Sequence, residues 1–156
     1  MRILAIETSC DETGAAVVEK KNNEQFVRLL SNVTATSSKL HAKTGGIIPE
    51  AASREQVKFI IPVVVEALLK LENIEQGSAK QNFKKANKIL KEKIDAVAVT
   101  FGPGLIGSLL VGVETAKTLS YAFNKPIIPV HHLLAHLFAN FIRGNSKFEI
   151  RNSKFP

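Results

Sequence analysis

The chain opens on short blocks of apolar residues separated by polar ones. Residues 2–7 (RILAIE) and 14–19 (GAAVVE) are brief and rich in aliphatic and β-branched side chains, and the polar run Thr8-Ser9-Cys10-Asp11-Glu12-Thr13 divides them. That pattern predicts two strands joined by a hairpin turn. A third strand is expected over 25–34 (QFVRLLSNVT). No helical segment intervenes, so this part of the sheet is expected to be antiparallel.

After Gly45-Gly46 the period changes. Ile47-Ile48-Pro49 introduces a helical pattern that runs to Glu72, with Pro49 in the first turn and Pro62 expected to kink or divide the helix. The lysine-rich stretch 74–93 reads as a polar excursion, partly helical over 79–92. Residues 94–100 (IDAVAVT) are almost continuously apolar, as in a strand covered on both faces. A glycine-rich turn, a helix over 107–123, a break at Lys125-Pro126, a strand at 127–130 and a helix at 132–142 follow. The order βββ, α, β, α, β, α predicts an α/β lobe over residues 1–142, a mixed sheet with helices on its faces. Beyond it, Asn145-Ser146-Lys147-Phe148 returns as Asn152-Ser153-Lys154-Phe155 without strand or helix period, so 143–156 reads as an irregular tail.

Composition narrows the class. A chain of 156 residues, 45% hydrophobic, fits one globular domain with a real core. No apolar run reaches the roughly 18 residues of a membrane span, so no membrane association is expected. The start lacks the longer apolar stretch of a secretory signal. Cys10 is the single cysteine, which excludes an intramolecular disulfide and points to a reducing, cytoplasmic setting. The net charge of +7 invites a nucleic-acid reading, but its location weakens that reading. Residues 74–93 carry six lysines against two glutamates, and residues 143–156 carry four basic residues against one glutamate, so the remainder balances to zero.

His131, His132 and His136 place three of the four histidines within six positions. His132 and His136 stand four apart at the start of a helix, so both rings leave one face and can reach one divalent metal ion. Leu133, Leu134 and Ala135 lie between them, so the glutamate that serves as general base in a zinc protease is missing. Ordinary helix-start histidines are the alternative. Gly102-Pro103-Gly104-Leu105-Ile106-Gly107 matches a glycine-rich phosphate loop, yet no acidic residue closes the next strand and no Gly-Lys-Ser/Thr follows. A tight turn and an anion-accepting helix start both remain open. Ser108, Gly112, Ala116 and Ser120 form a small-residue stripe, suited to a close helix inside the domain or on a partner. Asp11 and Glu12 in the hairpin turn either face a cleft or are solvated turn residues, and Cys10 reads as a small structural residue.

These segments together resemble one family, the tRNA N6-adenosine threonylcarbamoyltransferases, formerly described as O-sialoglycoprotein endopeptidases. The matching residues are Ile6-Glu7-Thr8-Ser9-Cys10-Asp11-Glu12-Thr13, then His41 with Gly45-Gly46-Ile47-Ile48-Pro49-Glu50 and Ala52-Ser53-Arg54. Thr100-Phe101-Gly102-Pro103-Gly104-Leu105 and the stretch from His132 to His136 complete the set, in the family's order across residues 3–142. The resemblance implies the ribonuclease-H-like mixed sheet of the actin/Hsp70 superfold, as a first lobe. It also implies an activity: transfer of a threonylcarbamoyl group from threonylcarbamoyl-AMP to N6 of the adenosine next to the anticodon, in tRNAs reading ANN codons. His132 and His136 become ligands of one metal ion, iron or zinc, and Asp11 and Glu12 match an acidic pair facing the cleft. The implied partners are tRNA, a paralogous subunit, an ATPase, and a second lobe that carries a Ser-Gly-Gly-His-Thr-like loop and a further aspartate ligand. The long helix at 49–72 and the small-residue helix are candidates for the paralogue interface.

Departures stand beside the matches. Gln56 occupies a position where the family usually has histidine, Leu134 stands where many members have an acidic residue, and 74–93 is longer than usual. The second lobe is not in this sequence, so the chain alone is expected to be inactive. A non-catalytic scaffold resembling the paralogue is a competing reading, against which the histidine pair speaks. A sugar-kinase or ATPase lobe and a metalloprotease are more distant ones. Exposure of an apolar face meant for the second lobe predicts poor solubility or self-association. Sedimentation and thermal unfolding check this, and a monodisperse, cooperatively melting monomer is the contrary result.

Overall fold

The computed structural model describes residues 1–22, 24, 26–37, 42 and 45–143. The lobe is built on three antiparallel strands, β1 (Arg2–Glu7), β2 (Glu12–Glu19) and β3 (Val27–Thr36). Ile6 pairs with Ala15, and Ala15 with Val33, so the inward side chains of all three strands share one face. β3 starts and ends two residues later than the pattern predicted. Within it Asn32 and Thr34 point outward while Ser31 and Val33 alternate inward. Strands β4 (Ala96–Gly102) and β5 (Ile127–His131) extend the sheet in parallel beyond β1, and the short β6 (Ile142–Arg143) pairs in parallel with β3. The sheet order is β5-β4-β1-β2-β3-β6. Ala96 through Thr100 of β4 are all buried, as the continuous apolar run predicted.

Helix α1 (Pro49–Leu71) packs across β2 and β3 with Ala52, Gln56, Ile60, Val63, Val64, Ala67 and Leu68 inward, at the spacing of one helical face. Pro62 does not divide it. Its ring is on the exposed side, so the Lys58 carbonyl left without an intrahelical donor lies at the surface, while Ile60 and Val63 hold both halves to one core.

The lysine-rich stretch is helical, as expected over 79–92, and it is more than a polar excursion. Helix α2 (Ala79–Lys93) is capped by Ser78 and Gln81 in a reciprocal box and inserts Ala86, Ile89 and Leu90 into the core. Its lysines at 84, 85, 88 and 91 are exposed. The surplus charge is thus a solvated face on a helix the core requires.

Helix α3 (Ile106–Phe123) ends at Asn124, whose left-handed conformation closes the turn. The small-residue stripe is used within the domain: Ser108, Gly112 and Ala116 are buried. A methyl group on Gly112 would lie 2.4 Å from the Thr8 hydroxyl oxygen, and one on Gly104 would lie 2.5 Å from the Ser9 carbonyl oxygen. These two glycines let the helix and its leading loop approach the β1–β2 turn at backbone distance.

The last helix, α4 (His132–Ala139), is shorter than expected. The Asn140 amide donates to the carbonyls of His136 and Leu137, at 3.2 and 3.1 Å, and Ile142 then joins the sheet beside Val27. No residue of α4 is buried, and Leu133, Leu134, Leu137 and Phe138 are each at least half exposed. Among the described residues, no helix is long and apolar enough to cross a membrane. His41 and residues 144–156, and with them most of the expected tail, lie outside the described residues.

Gly112→Ala is expected to destabilise the chain by about 1–3 kcal/mol, because the added carbon overpacks a junction that includes buried Thr8. Gly46→Ala meets no atom of the described residues within 4 Å and is the milder comparison. Urea unfolding of both variants checks the difference.

Candidate functional site

The parallel strands β1, β4 and β5 end together, and the polar side chains of the molecule converge at that edge, where open α/β sheets place their ligand sites. β5 closes at His131 and α4 begins at His132 with no intervening loop, so the first histidine of the pair sits on the rim of the sheet. Helical spacing brings the ring of His136 to 4.5 Å from that of His132, edge to face. Their Nε2 atoms are 3.1 Å apart.

The other nitrogen of His132, Nδ1, is 3.1 Å from the Ser9 hydroxyl and 3.4 Å from Oε2 of Glu7. A carboxylate only accepts, so Nδ1 donates toward it and the Nε2 lone pair is turned to His136. This is the outer-shell arrangement that fixes the tautomer of a metal-binding histidine. Glu7 also accepts from the Ser9 amide and the Thr100 hydroxyl. Burial pushes its carboxyl pKa up, but the hydrogen bonds from Ser9, Thr100 and His132 outweigh it and hold the group below its ordinary value. Sequence reasoning recorded Glu7 in the first motif and gave it no role. The available signal was a carboxylate closing a strand that is otherwise aliphatic.

The turn after β1 is a buried polar junction. Thr8, Ser9 and Thr13 are buried, and each carbonyl of residues 8–12 has a donor. The Thr8 hydroxyl donates to the Ser108 carbonyl at 2.8 Å, the Ser108 hydroxyl to the Cys10 carbonyl at 3.0 Å, and the Leu105 amide to the Ser9 carbonyl at 2.8 Å. From α1, the Gln56 amide reaches the carbonyls of Cys10 and Glu12 at 3.1 and 2.9 Å. The Asp11 carbonyl accepts from the Ser37 amide and hydroxyl.

The glycine-rich loop is therefore a packing device against this turn, with its Leu105 amide engaged. Cys10 is half-buried within it, and burial followed by the neighbouring Asp11 carboxylate raises its thiol pKa. Glu12 is exposed at the start of β2 and Asp11 is half-exposed beside it. The structure does not gather them with the histidines into one ligand set. Among the described residues, no group of three or more His, Cys, Asp or Glu side chains is placed to hold a metal ion.

The histidine pair itself fits a metal. Metal–imidazole bonds are about 2.0–2.1 Å long, so two nitrogens on one ion stand roughly 3 Å apart when the bonds are near perpendicular. The observed 3.1 Å meets that requirement. The pair supplies at most two ligand nitrogens, and its His136 side is exposed. His131 is not turned to the pair by any hydrogen bond. Its Nδ1 is buried without a partner among the described residues, and its ring meets the edge of Phe101.

Sheet order, the helix-covered face and a ligand edge at the strand ends define a ribonuclease-H-like lobe of the actin/Hsp70 class. The structure of YeaZ from Pseudomonas aeruginosa has the same fold, with a TM-score of 0.52 and 19% identity over 84% of this chain and 45% of that one. Residues 28–150 match the family model of TsaD, tRNA N6-adenosine threonylcarbamoyltransferase. The chain is 46% identical over 140 residues to the tRNA N6-adenosine threonylcarbamoyltransferase of Moorella thermoacetica, and 48% identical over 143 residues to that of Clostridium kluyveri. These alignments cover 90% and 92% of this chain but only 35% and 36% of the relatives. The chain belongs to the tRNA N6-adenosine threonylcarbamoyltransferase family, a family of transferases, and spans about a third of the length of the curated relatives it matches.

Glu7→Gln is expected to lower stability by about 1–3 kcal/mol, since a neutral amide cannot accept from all three donors now facing the carboxylate. The same change should shift the ring-nitrogen resonances of His132 while leaving α2 unperturbed, which long-range proton–nitrogen spectra read directly.

Proposed function

We propose that residues 1–142 act as the first lobe of a tRNA N6-adenosine threonylcarbamoyltransferase, binding one divalent metal ion, iron or zinc, through His132 and His136. The observation that carries this reading is the 3.1 Å separation of two Nε2 atoms, one belonging to a ring oriented by Glu7 and Ser9. When bound, the metal would polarise carbamoyl or phosphate oxygens of threonylcarbamoyl-AMP as a Lewis acid. Glu7 and Ser9 keep Nδ1 of His132 engaged, so its Nε2 is available as a donor to the ion. Asp11 and Glu12, half-exposed and exposed at the turn, would meet substrate from the cleft side, in keeping with a positioning or acid–base role.

The substrate follows from the same reading: the threonylcarbamoyl group passes to N6 of the adenosine beside the anticodon in tRNAs that read ANN codons. Two apolar surfaces support the expected partners. Val57, Ile61, Ile106 and Leu110 are exposed on the packed helices α1 and α3, which suits a paralogous partner subunit that works with an ATPase. The exposed leucines and Phe138 of α4, beside the metal pair, suit cover by a second lobe that completes the ligand set. The protein's place would then be the cytoplasm, with its tRNA.

A chimera tests the assignment: residues 1–142 replace the matching part of a full-length relative, and threonylcarbamoyl incorporation into tRNA is measured together with bound metal. The chimera should incorporate the group and retain metal. His132→Ala or His136→Ala should lose metal affinity by a factor of about ten to a hundred or more, with activity following. A chimera that transfers the group equally well without either histidine would refute the metal role. A metal-loaded chimera that never modifies tRNA would return the lobe to a scaffold.

A further inference from the structure

Gln56 lies on the buried face of α1, between Ala52 and Ile60, where the helix otherwise presents aliphatic side chains to the sheet. It is 1% exposed. A primary amide at such a place is unfavourable unless it is hydrogen-bonded, and an aliphatic side chain of the same length would fill the stripe. All the bonds recorded for its side chain run to one target. Nε2 faces the carbonyls of Thr8, Cys10 and Glu12 at 3.4, 3.1 and 2.9 Å, which are alternate residues of the β1–β2 turn. Oε1 is buried and without a partner among the described residues. The amide is therefore oriented entirely by the turn, with two protons serving three acceptors.

The same turn is held from α3 by Ser108 and Leu105, and between the two helices it carries Ser9. Ser9 is the residue whose hydroxyl stands 3.1 Å from Nδ1 of His132 and whose amide donates to Glu7. We infer that Gln56 is a positioning residue: it gathers three turn carbonyls on one amide nitrogen and so sets the conformation in which Ser9 meets the His132 ring. The alignment of the histidine pair then depends on a side chain from a different helix, with no direct contact between them. This inference rests on the metal reading above for its consequence, but not for its first step.

The test uses the whole chain and two readouts. Gln56→Met keeps length and volume and removes both donors, and Gln56→His restores one N–H. Leu90→Ala, in the core on α2, serves as a destabilised reference, and so does the unsubstituted chain in urea at equal residual stability. Cys10, the chain's only cysteine, lies in the turn and reports its opening through the rate of reaction with an aromatic disulfide. Cobalt(II) titration reports the histidine pair.

Gln56→Met is expected to speed Cys10 modification about tenfold and to weaken cobalt binding by about tenfold or more, with Gln56→His recovering most of both. The references should change either quantity by no more than about twofold at matched stability. Unchanged Cys10 reactivity in Gln56→Met, or equal acceleration in the references, would overturn the proposal. A loosened turn with unaltered cobalt binding would overturn the link to the histidines. If the unsubstituted chain takes up no cobalt, the metal reading fails on its own. The His132 ring resonances then decide: a shift in Gln56→Met absent from the references upholds the positioning role, and no shift removes it.

Discussion

The structure depends on keeping a polar turn dry. The carbonyls of residues 8–12 are engaged between two helices and the end of a sheet, where an unpaired buried group costs about 1–3 kcal/mol. The chain meets this constraint from every side, with Leu105 and Ser108 of the α3 region, Gln56 of α1 and Ser37 after β3. Close approach is a precondition, and Gly104 and Gly112 provide it by removing the side chains that would collide with Ser9 and Thr8. Once the turn is fixed, Ser9 and Glu7 are fixed, and with them the ring of His132. The packing of the lobe and the geometry of its site are thus one problem with one solution.

That coupling explains which parts of the molecule were legible from the sequence. Strands β1, β2 and β4 and helices α1 and α3 follow from apolar periodicity alone, because their patterns are set by which side faces the core. The pair His132 and His136 was legible for the same reason, since helical spacing puts i and i+4 on one face whatever else surrounds them. What failed were inferences from composition. A lysine-rich segment looked peripheral, yet three apolar positions at helical spacing, Ala86, Ile89 and Leu90, are enough to tie it to the core. Pro62 looked like a break, but a proline on the wet side of a well-anchored helix leaves only a surface carbonyl unpaired. Glu7 and Gln56 were beyond reach for a deeper reason. Their partners are distant in sequence, Thr100 and His132 for one and the 8–12 carbonyls for the other, and no local period records such contacts.

Buried polarity here is asymmetric in a way that suits a site and would be wasteful in a scaffold. Glu7 is more than half withdrawn from water yet stays ionised, because neutral donors and an imidazole surround it. A packed core of the same volume could be built from aliphatic residues at less risk, since a partly satisfied polar network is worse than none.

The open side of the site completes the picture physically. Helix α4 carries both histidines and buries none of its residues, while four of its large apolar side chains are at least half exposed. A helix of eight residues with that much bare hydrocarbon has little tertiary packing to hold it, and short helices are marginal without such packing. Covering Leu133, Leu134, Leu137 and Phe138 would therefore do two things at once. It would remove apolar surface from water and it would lock the second histidine, whose ring is held only by the first. Under the metal reading proposed above, metal affinity and docking onto α4 would be linked quantities: whatever bound that helix preferentially in its ordered form would strengthen the histidine pair by the same factor that the metal strengthened the docking.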